Sequence, residues 1–397
     1  MEIFQPFGVH WVGPYEDISG IAHINRHVAI EAMKLGLQLR CSSPFAAGTW
    51  SHINVMLPVE KSEYLRQAEQ VGLQDGQFMA MHSYPPHYLH PDYIQQAGGR
   101  AKVHISYSLF ETNSIPANWA EPLNHQNIME VWVPCKFQLD SYKKGGVDPR
   151  KLKHVPHGIN VDEFTPEGLR MKFVETDTFI FLTVMDVSHR KGPDVLLKAY
   201  FEEFVETKPG EVLLVFKGYT GGAGEAERQK IEKMILDAKT AAKSQAQILF
   251  LGGFLSDEQM PLLHRSAHAY INSSRGEGWN FPVLQSMACG VPCIMPRHSS
   301  HLDFGNDQNC LWIDTTETAI DDPKFLAMDA RFYGHSWWEP KVDSLKKQMR
   351  WAVTHREELK QKGQQAREDV KKFSWENSLR SAITQMAKYG YRSEILI

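Results

Sequence analysis

The stretch RGEGWNFPVLQSMACGVP, residues 275–292, decides how the second half of the chain is read. Ahead of it, HAYINSS (268–274) reads as a strand. A glycine-flanked loop carrying Glu277 follows, and Pro282 then suits the start of a helix, where its missing N–H would have no intrahelical partner anyway. Val283, Leu284, Met287 and Ala288 give that helix a core face, and Gly290 followed by Pro292 ends it. The loop Gly276–Phe281 (Gly276, Glu277, Gly278, Trp279, Asn280, Phe281) therefore presents backbone N–H groups at a helix N-terminus on the carboxyl edge of a sheet, a place that stabilises phosphate. A carboxylate there would repel phosphate, so Glu277 points at something neutral that bears hydroxyls, such as a sugar. Gln285 lies about one turn into the helix, where its amide reaches a second polyol such as a ribose. A glycine-rich turn with an exposed Glu and a helix-surface Gln is the alternative that local chemistry leaves open.

Working outward, strand-like apolar runs alternate with amphipathic segments, the pattern of parallel sheets with crossover helices. MEIFQPFGVHWVG at the start, QFMAMHS, KVHISYS and MEVWVPC read as strands of a first half, with a helix over about 21–35. TFIFLTVMDV, EVLLVFKG, QILFLGG, HAYINSS and VPCIMPR read as strands of a second half. Between the halves, HVPHGINVDEFTPEG (154–168) has the composition of a linker. The expected organisation is an α/β chain of two Rossmann-like, doubly wound domains facing across a cleft. The first domain takes residues 1–165, the second 166–374, and a last amphipathic segment, 375–397, closes the chain.

Composition bounds the function. At 397 residues the chain exceeds one ordinary core, and its 42% hydrophobic and 23% charged content are those of a globular protein. A formal net charge of −4 supplies no cationic field for nucleic acid. Cys41, Cys135, Cys289, Cys293 and Cys310 are scattered without zinc-site spacing and read as reduced core thiols of a cytoplasmic protein. The start lacks the basic-then-apolar pattern of a signal peptide, and no apolar run approaches the ~20 residues of a membrane helix.

Two further places carry chemistry. In MDVSHRKGPDVLLKAY (185–200) a strand ends and Arg190 and Lys191 precede a Gly-Pro helix start, so two cations stand at a sheet's carboxyl edge, suited to a diphosphate whose charge grows as a sugar leaves. A solvated basic loop is the plainer alternative. In GPYEDISGIAHINRHVAIEAMKLG (13–36) Ser19 and Gly20 precede a helix and form a second candidate anion site. Glu111 and Asn113, within YSLFETNSIPANW (107–119), are further polar candidates. The charge-rich KFQLDSYKKGGVDPRKLK (136–153) reads as a solvated helix face, with peripheral membrane contact at the inner face of a membrane left open.

The opening stretch resembles the signature of retaining glycosyltransferases of family 4, in which a Glu, seven residues and a second Glu recur in a form like EGFGLPLLEAMACG. Here it stands as EGWNFPVLQSMACG, with Gln285 in place of the second Glu. VPHGINVDEF, HRKGPDVLLKAY and FSWE resemble the family's inter-domain, donor-phosphate and closing-helix segments. The resemblance implies a GT-B fold, a nucleoside diphosphate sugar as donor, and a glycan, lipid-linked or small-molecule acceptor, with residues 1–165 as the acceptor-side domain, 166–374 as the nucleotide-sugar-binding domain and 375–397 as a closing helix that packs back toward the first. It also implies no cofactor and no metal, in keeping with a sequence that has no Asp-x-Asp. By the same resemblance Lys191 contacts the diphosphate and a glycine loop at Ser19–Gly20 covers it. His82 then lies near the transferred sugar and the acceptor. The family's upstream Arg is absent, Met185 and Asp186 standing near its place, so that either Arg190 substitutes for it or the phosphate grip is weaker than in the family. Two rivals stay open: an epimerase or phosphorylase-like enzyme on this architecture, and a non-catalytic nucleotide-sugar-binding subunit.

Overall fold

The computed structural model describes residues 8–16, 19–43, 57–89, 94, 101–174, 177–208, 210–219 and 225–390. Most of the expected first strand's leading half, residues 1–7, lies outside them. The chain divides into two units: one takes the sequence up to Ile159 and again from Phe373, the other Asn160–Lys372.

The first unit is built from β1 (Gly8–Val12), α1 (Gly20–Lys34), β2 (Leu39–Ser42), α2 (Val59–Gln70), β3 (Phe78–His82), β4 (Val103–Tyr107), α3 (Ala120–Asn124), β5 (Ile128–Val133), α4 (Lys136–Lys144) and β6 (Leu152–His154). Its six strands pair in parallel in the order β2-β1-β3-β4-β5-β6. The chain runs from β1 to β2 on one side and then returns to place β3 on the other, so the loops after β1 and β3 diverge. Such a switch point opens a crevice at the carboxyl ends of the strands. Asn25 of α1, fully buried, ties it together: it accepts from Trp11 Nε1 at 2.8 Å and donates to the carbonyl of Pro14 at 2.8 Å. Gly13 is required there, because a Cβ would stand 2.6 Å from the Ser83 carbonyl and 2.3 Å from the Asn25 amide.

The second unit repeats the scheme with β7 (Phe179–Asp186), α5 (Pro193–Glu203), β8 (Val212–Tyr219), α6 (Glu225–Ala242), β9 (Gln247–Leu251), α7 (Gln259–Arg265), β10 (Ala269–Ile271), α8 (Phe281–Ala288), β11 (Cys293–Pro296), α9 (His301–Phe304) and β12 (Cys310–Ile313). The strand order is β12-β11-β10-β7-β8-β9, all parallel, with the switch point between β7 and β10. Helices cover both faces of such a sheet, so central strands read as nearly continuous apolar runs: FIFLTVMD of β7 alternates with nothing. Phe181, Phe204, Phe216, Tyr200 and Leu196 fill this core with under 1% exposure, each side chain contributing about 1.5–3 kcal/mol by burial.

An antiparallel hairpin, β13 (Thr315–Ala319) and β14 (Ser336–Pro340), follows with α10 (Pro323–Met328) inside its loop, then α11 (Val342–Thr354) and α12 (Arg356–Val370). The apolar-run reading does not find this hairpin, because TTETA is polar and exposed over most of its length. It also passes over β2, β6 and β12, strands of three or four residues. The last helix, α13 (Trp375–Met386), belongs to the first unit: the Trp375 ring stacks on His27 of α1 at 5.6 Å, and Gly158 lies so close that a Cβ would meet the Trp375 backbone at 2.4 Å. All five cysteines are free and buried.

Candidate functional site

At the switch point of the second unit the loop after β7 and the loop after β10 run side by side. Residues His189–Lys191 make a short 3-10 turn that ends at Gly192 (φ 65°), and α5 starts at Pro193. Gly192 is needed twice over: its φ is left-handed, and a Cβ would lie 2.2 Å from the Ser273 carbonyl. Ser273 Oγ donates to the carbonyls of Lys191 (3.1 Å) and Gly192 (2.9 Å), and the Arg275 amide donates to the Arg190 carbonyl at 2.7 Å.

These ties bring the three charged residues of the sequence reading together. Lys191 Nζ lies 2.8 and 2.9 Å from the two carboxylate oxygens of Glu277. Arg190 Nη1 is 3.5 Å from Glu277 Oε2 and donates to the Gly276 carbonyl at 2.8 Å. The Glu277 side chain is 4% exposed. Burial pushes its carboxyl up, but Lys191 and Arg190 outweigh that and hold it at about 2, so Glu277 is an anion and a pure acceptor at neutral pH. Desolvation of a pair this deep is costly, and the geometry is held from behind. Arg275, 3% exposed, bridges Asp194 of α5 (2.7 Å) and Glu339 of β14 (2.5 Å), while its carbonyl accepts from the Trp338 amide at 2.9 Å. Burial would raise the Asp194 carboxyl, yet Arg275 holds it below its usual range.

A second layer supports Glu277 from the loop after β11. The Glu277 amide donates to Ser299 Oγ (3.3 Å), which lies 2.8 Å from His298 Nδ1, and His298 Nε2 is 2.9 Å from the Ser274 carbonyl. A carbonyl only accepts, so Nε2 carries the proton and Nδ1 accepts from the serine hydroxyl. His301 is oriented alike: Nδ1 donates to the Pro296 carbonyl at 2.8 Å and Nε2 accepts from Asn280 Nδ2 at 2.8 Å. Burial lowers both rings, to about 3 for His298 and about 4 for His301, so both are neutral at pH 7.

The remaining candidates fall as follows. Asn280 enters α8 in the left-handed region (φ 76°), and the loop Gly278–Asn280 is buried. Trp279 turns inward, edge-on to Phe304 at 6.0 Å, so its side chain is core. Phe281 is the first residue of α8 and half-buried. Gln285 is 7% exposed, with its side chain acting on the His264 ring, which burial lowers to about 3. At the first unit's switch point Ser19 caps α1, accepting from the Ala22 amide at 3.2 Å, and Gly20 has open space where a Cβ would stand. His82 ends β3 fully buried, with Nδ1 2.6 Å from the Tyr84 hydroxyl and Nε2 3.0 Å from His104 Nδ1. Burial, then the neighbouring His104 and His10, lower it to about 3.

Arg275, Asp194, Glu339, His298, Ser299 and His301 escape the sequence reading. Arg275 opens the decisive stretch, but its partners lie 81 and 64 positions away in sequence, which no local pattern reveals. Among the described residues no three His, Cys, Asp or Glu side chains are grouped to hold a metal ion, and no helix is long and apolar enough to cross a membrane.

Two parallel, doubly wound units with their carboxyl-edge sites define the GT-B class of glycosyltransferase fold. The chain superposes on HepE of Anabaena in complex with UDP-glucose with a TM-score of 0.65 at 10% identity, covering 96% of this chain and 99% of that one. A sucrose-phosphate synthase from Thermosynechococcus elongatus gives 0.66 at 14%, covering 97% and 100%. Residues 169–320 match the family model of glycosyl transferases group 1, so the segment that bears Lys191 and Glu277 belongs to that family, as the signature stretch implied. The chain is also similar to a D-inositol 3-phosphate glycosyltransferase of Acidothermus cellulolyticus, 24% identical over 177 residues, which cover 43% of this chain and 38% of that protein. An O-antigen chain mannosyltransferase B of Escherichia coli is 30% identical over 111 residues, 28% of this chain and 26% of that protein. The matches thus span well under half the length of these curated relatives.

Proposed function

We propose that the chain is a retaining glycosyltransferase, moving a sugar from a nucleoside diphosphate sugar to an acceptor hydroxyl without a metal ion. The observation that carries this reading is the Arg190–Lys191–Glu277 cluster at a switch point, beside the N-terminus of α8. Two cations against one carboxylate leave one positive charge, which offsets part of the two negative charges of a diphosphate. As the bond from the sugar to the diphosphate breaks, negative charge grows on the leaving oxygen, and Arg190 and Lys191 are preorganised to take it. The backbone of Gly278–Phe281 adds a helix N-terminus to the same end. Glu277 accepts hydrogen bonds from hydroxyls of the sugar, held ionised for that role by its two cations. Gln285 serves the ribose, Ser19 and Gly20 the diphosphate, and His82 the acceptor side, as the family resemblance implies. The acceptor proton leaves with the diphosphate, so the reaction needs no separate base. That HepE was obtained with UDP-glucose, and that the relatives are named for inositol phosphate and mannosyl transfer, supports a nucleotide-sugar donor and a polyol or glycan acceptor.

The roles separate by kinetics. Replacing Arg190 or Lys191 with Ala should remove about 2–4 kcal/mol of transition-state stabilisation, read from kcat/KM, and should weaken nucleoside diphosphate binding with it. Glu277→Ala should depress turnover strongly while diphosphate affinity stays within a few fold, measured by calorimetry. Diphosphate binding lost in a folded Glu277→Ala protein would refute the sugar role.

A further inference from the structure

The carboxyl edge of the second sheet carries the site above; its amino edge opens into a pocket of about 760 Å³. Phe179, the first residue of β7, lines it, together with His268 and Pro292 just ahead of β10 and β11. Since β7 has 8 residues, the two edges are roughly 23 Å apart at ~3.3 Å per residue. The pocket is therefore distinct from the Lys191–Glu277 cluster.

Its charge is lopsided. Arg170, Arg265, Arg356, Lys360, Arg367 and Lys371 line it, against the carboxylates of Glu167, Glu357 and Glu368. Arg356 is matched by Asp177 at 3.0 Å and Lys371 by Glu368 at 2.6 Å. Arg170, Arg265, Lys360 and Arg367 have no carboxylate within ion-pair distance among the described residues. Arg265 is the telling member, because it is 7% exposed and has only carbonyl partners. Its Nε donates to Leu169 (2.8 Å), its Nη1 weakly to Thr165 (3.4 Å) and Glu163 (3.5 Å), and its Nη2 to no described group. Arg367 uses Nη1 alone, on the carbonyls of Val161, Phe164 and Ala288. Buried charges are normally paired, and a guanidinium with one edge unengaged presents the fork that fits phosphate oxygens.

We propose that this pocket is a second anion site, which takes a phosphorylated small molecule. Four unmatched cations against the two unmatched carboxylates of Glu167 and Glu357 leave an excess of two positive charges, which a phosphate dianion neutralises and a single carboxylate does not. The volume lies within the ~300–1,000 Å³ of small-molecule sites. Cys289, Val291, Pro292 and Leu359 give an apolar wall for the rest of the molecule, and burial keeps the Cys289 thiol neutral by pushing it up to about 12.

Inorganic pyrophosphate is the probe, followed by equilibrium dialysis on the full chain. The side chains of Arg170 and Lys360 are exposed and make no hydrogen bond among the described residues, so Arg170→Glu/Lys360→Glu should fold normally, checked by circular dichroism. The double variant should bind one equivalent fewer than the wild type, and Lys360→Gln alone should weaken that equivalent at least threefold. Arg190→Ala should weaken the other equivalent and leave this one unchanged, so that failure of the proposed donor site and failure of this pocket read differently. Equal stoichiometry, with affinities within twofold, in the wild type and both pocket variants would overturn the proposal, as would a wild type that binds no pyrophosphate.

Discussion

Glu277 is a buried acid that stays ionised because two cations face it, and that makes its contribution pH-dependent. Its folded-state value of about 2 lies below the ordinary glutamate value of 4.5, so the stability it supplies is fully present above pH 4.5 and is lost as pH falls toward 2. Denaturant titrations of the wild type and Glu277→Gln from pH 7 to 3 should therefore diverge least at the acid end. Lys191→Ala leaves a 4%-exposed carboxylate with only Arg190 and should cost about 3 kcal/mol in the same measurement, most of it recovered in Lys191→Ala/Glu277→Gln. Gln285 has two calls on its amide, the ribose and His264. If it holds the ribose, Gln285→Glu should tighten nucleoside diphosphate binding by a factor on the order of ten or less, and a 2′-deoxy nucleotide should erase the gain. Equal binding of ribo- and deoxyribonucleotides by both proteins would leave His264 as its sole partner. The charged trio was legible in the sequence because Lys191 and Glu277 each sit beside a glycine at a strand-to-helix turn and Arg190 adjoins Lys191. The neutral histidines behind it were not, since a buried histidine and a surface one look alike in a string of letters.

Among elements, the two loops of the site are joined where backbone meets backbone at Gly192 and Ser273. Gly192→Ala adds a Cβ 2.2 Å from a carbonyl that cannot rotate away, on top of a left-handed φ. It should cost more than the ~1–3 kcal/mol of such a backbone strain alone and should lower kcat, read from denaturation midpoints and steady-state kinetics. Arg275→Ala severs the hairpin from α5, and because Asp194 and Glu339 remain half-exposed, the loss should appear more in turnover than in stability. The long, uniformly apolar strands of both sheets were readable as runs. The hairpin β13–β14 was not: its strands pair with each other on a polar, exposed surface, so no burial pattern marks them, and its grip on Arg275 is a matter of tertiary contact.

For the molecule as a whole, each unit encloses its own sheet, and the chain returns to the first with α13. Trp375→Ala removes a ring that is 3% exposed against His27 and Gly158, and should cost about 3–5 kcal/mol in the unfolding of the first unit while the second keeps its midpoint, seen as two transitions moving apart in calorimetry. The repeated strand-helix alternation gave the two-sheet architecture away, while the size and order of each sheet follow from crossovers that a sequence does not display. On the proposed function, the Arg190–Lys191–Glu277 cluster serves sugar transfer from a nucleotide. Incubating the chain with a panel of labelled nucleoside diphosphate sugars, with and without polyol and glycan acceptors, tests it most directly, with products read by NMR. One donor should release nucleoside diphosphate in step with a glycosylated acceptor of unchanged anomeric configuration, and Glu277→Ala should abolish this. An inverted product, donor conversion that needs no acceptor, or equal turnover by the folded Glu277→Ala protein would contradict it.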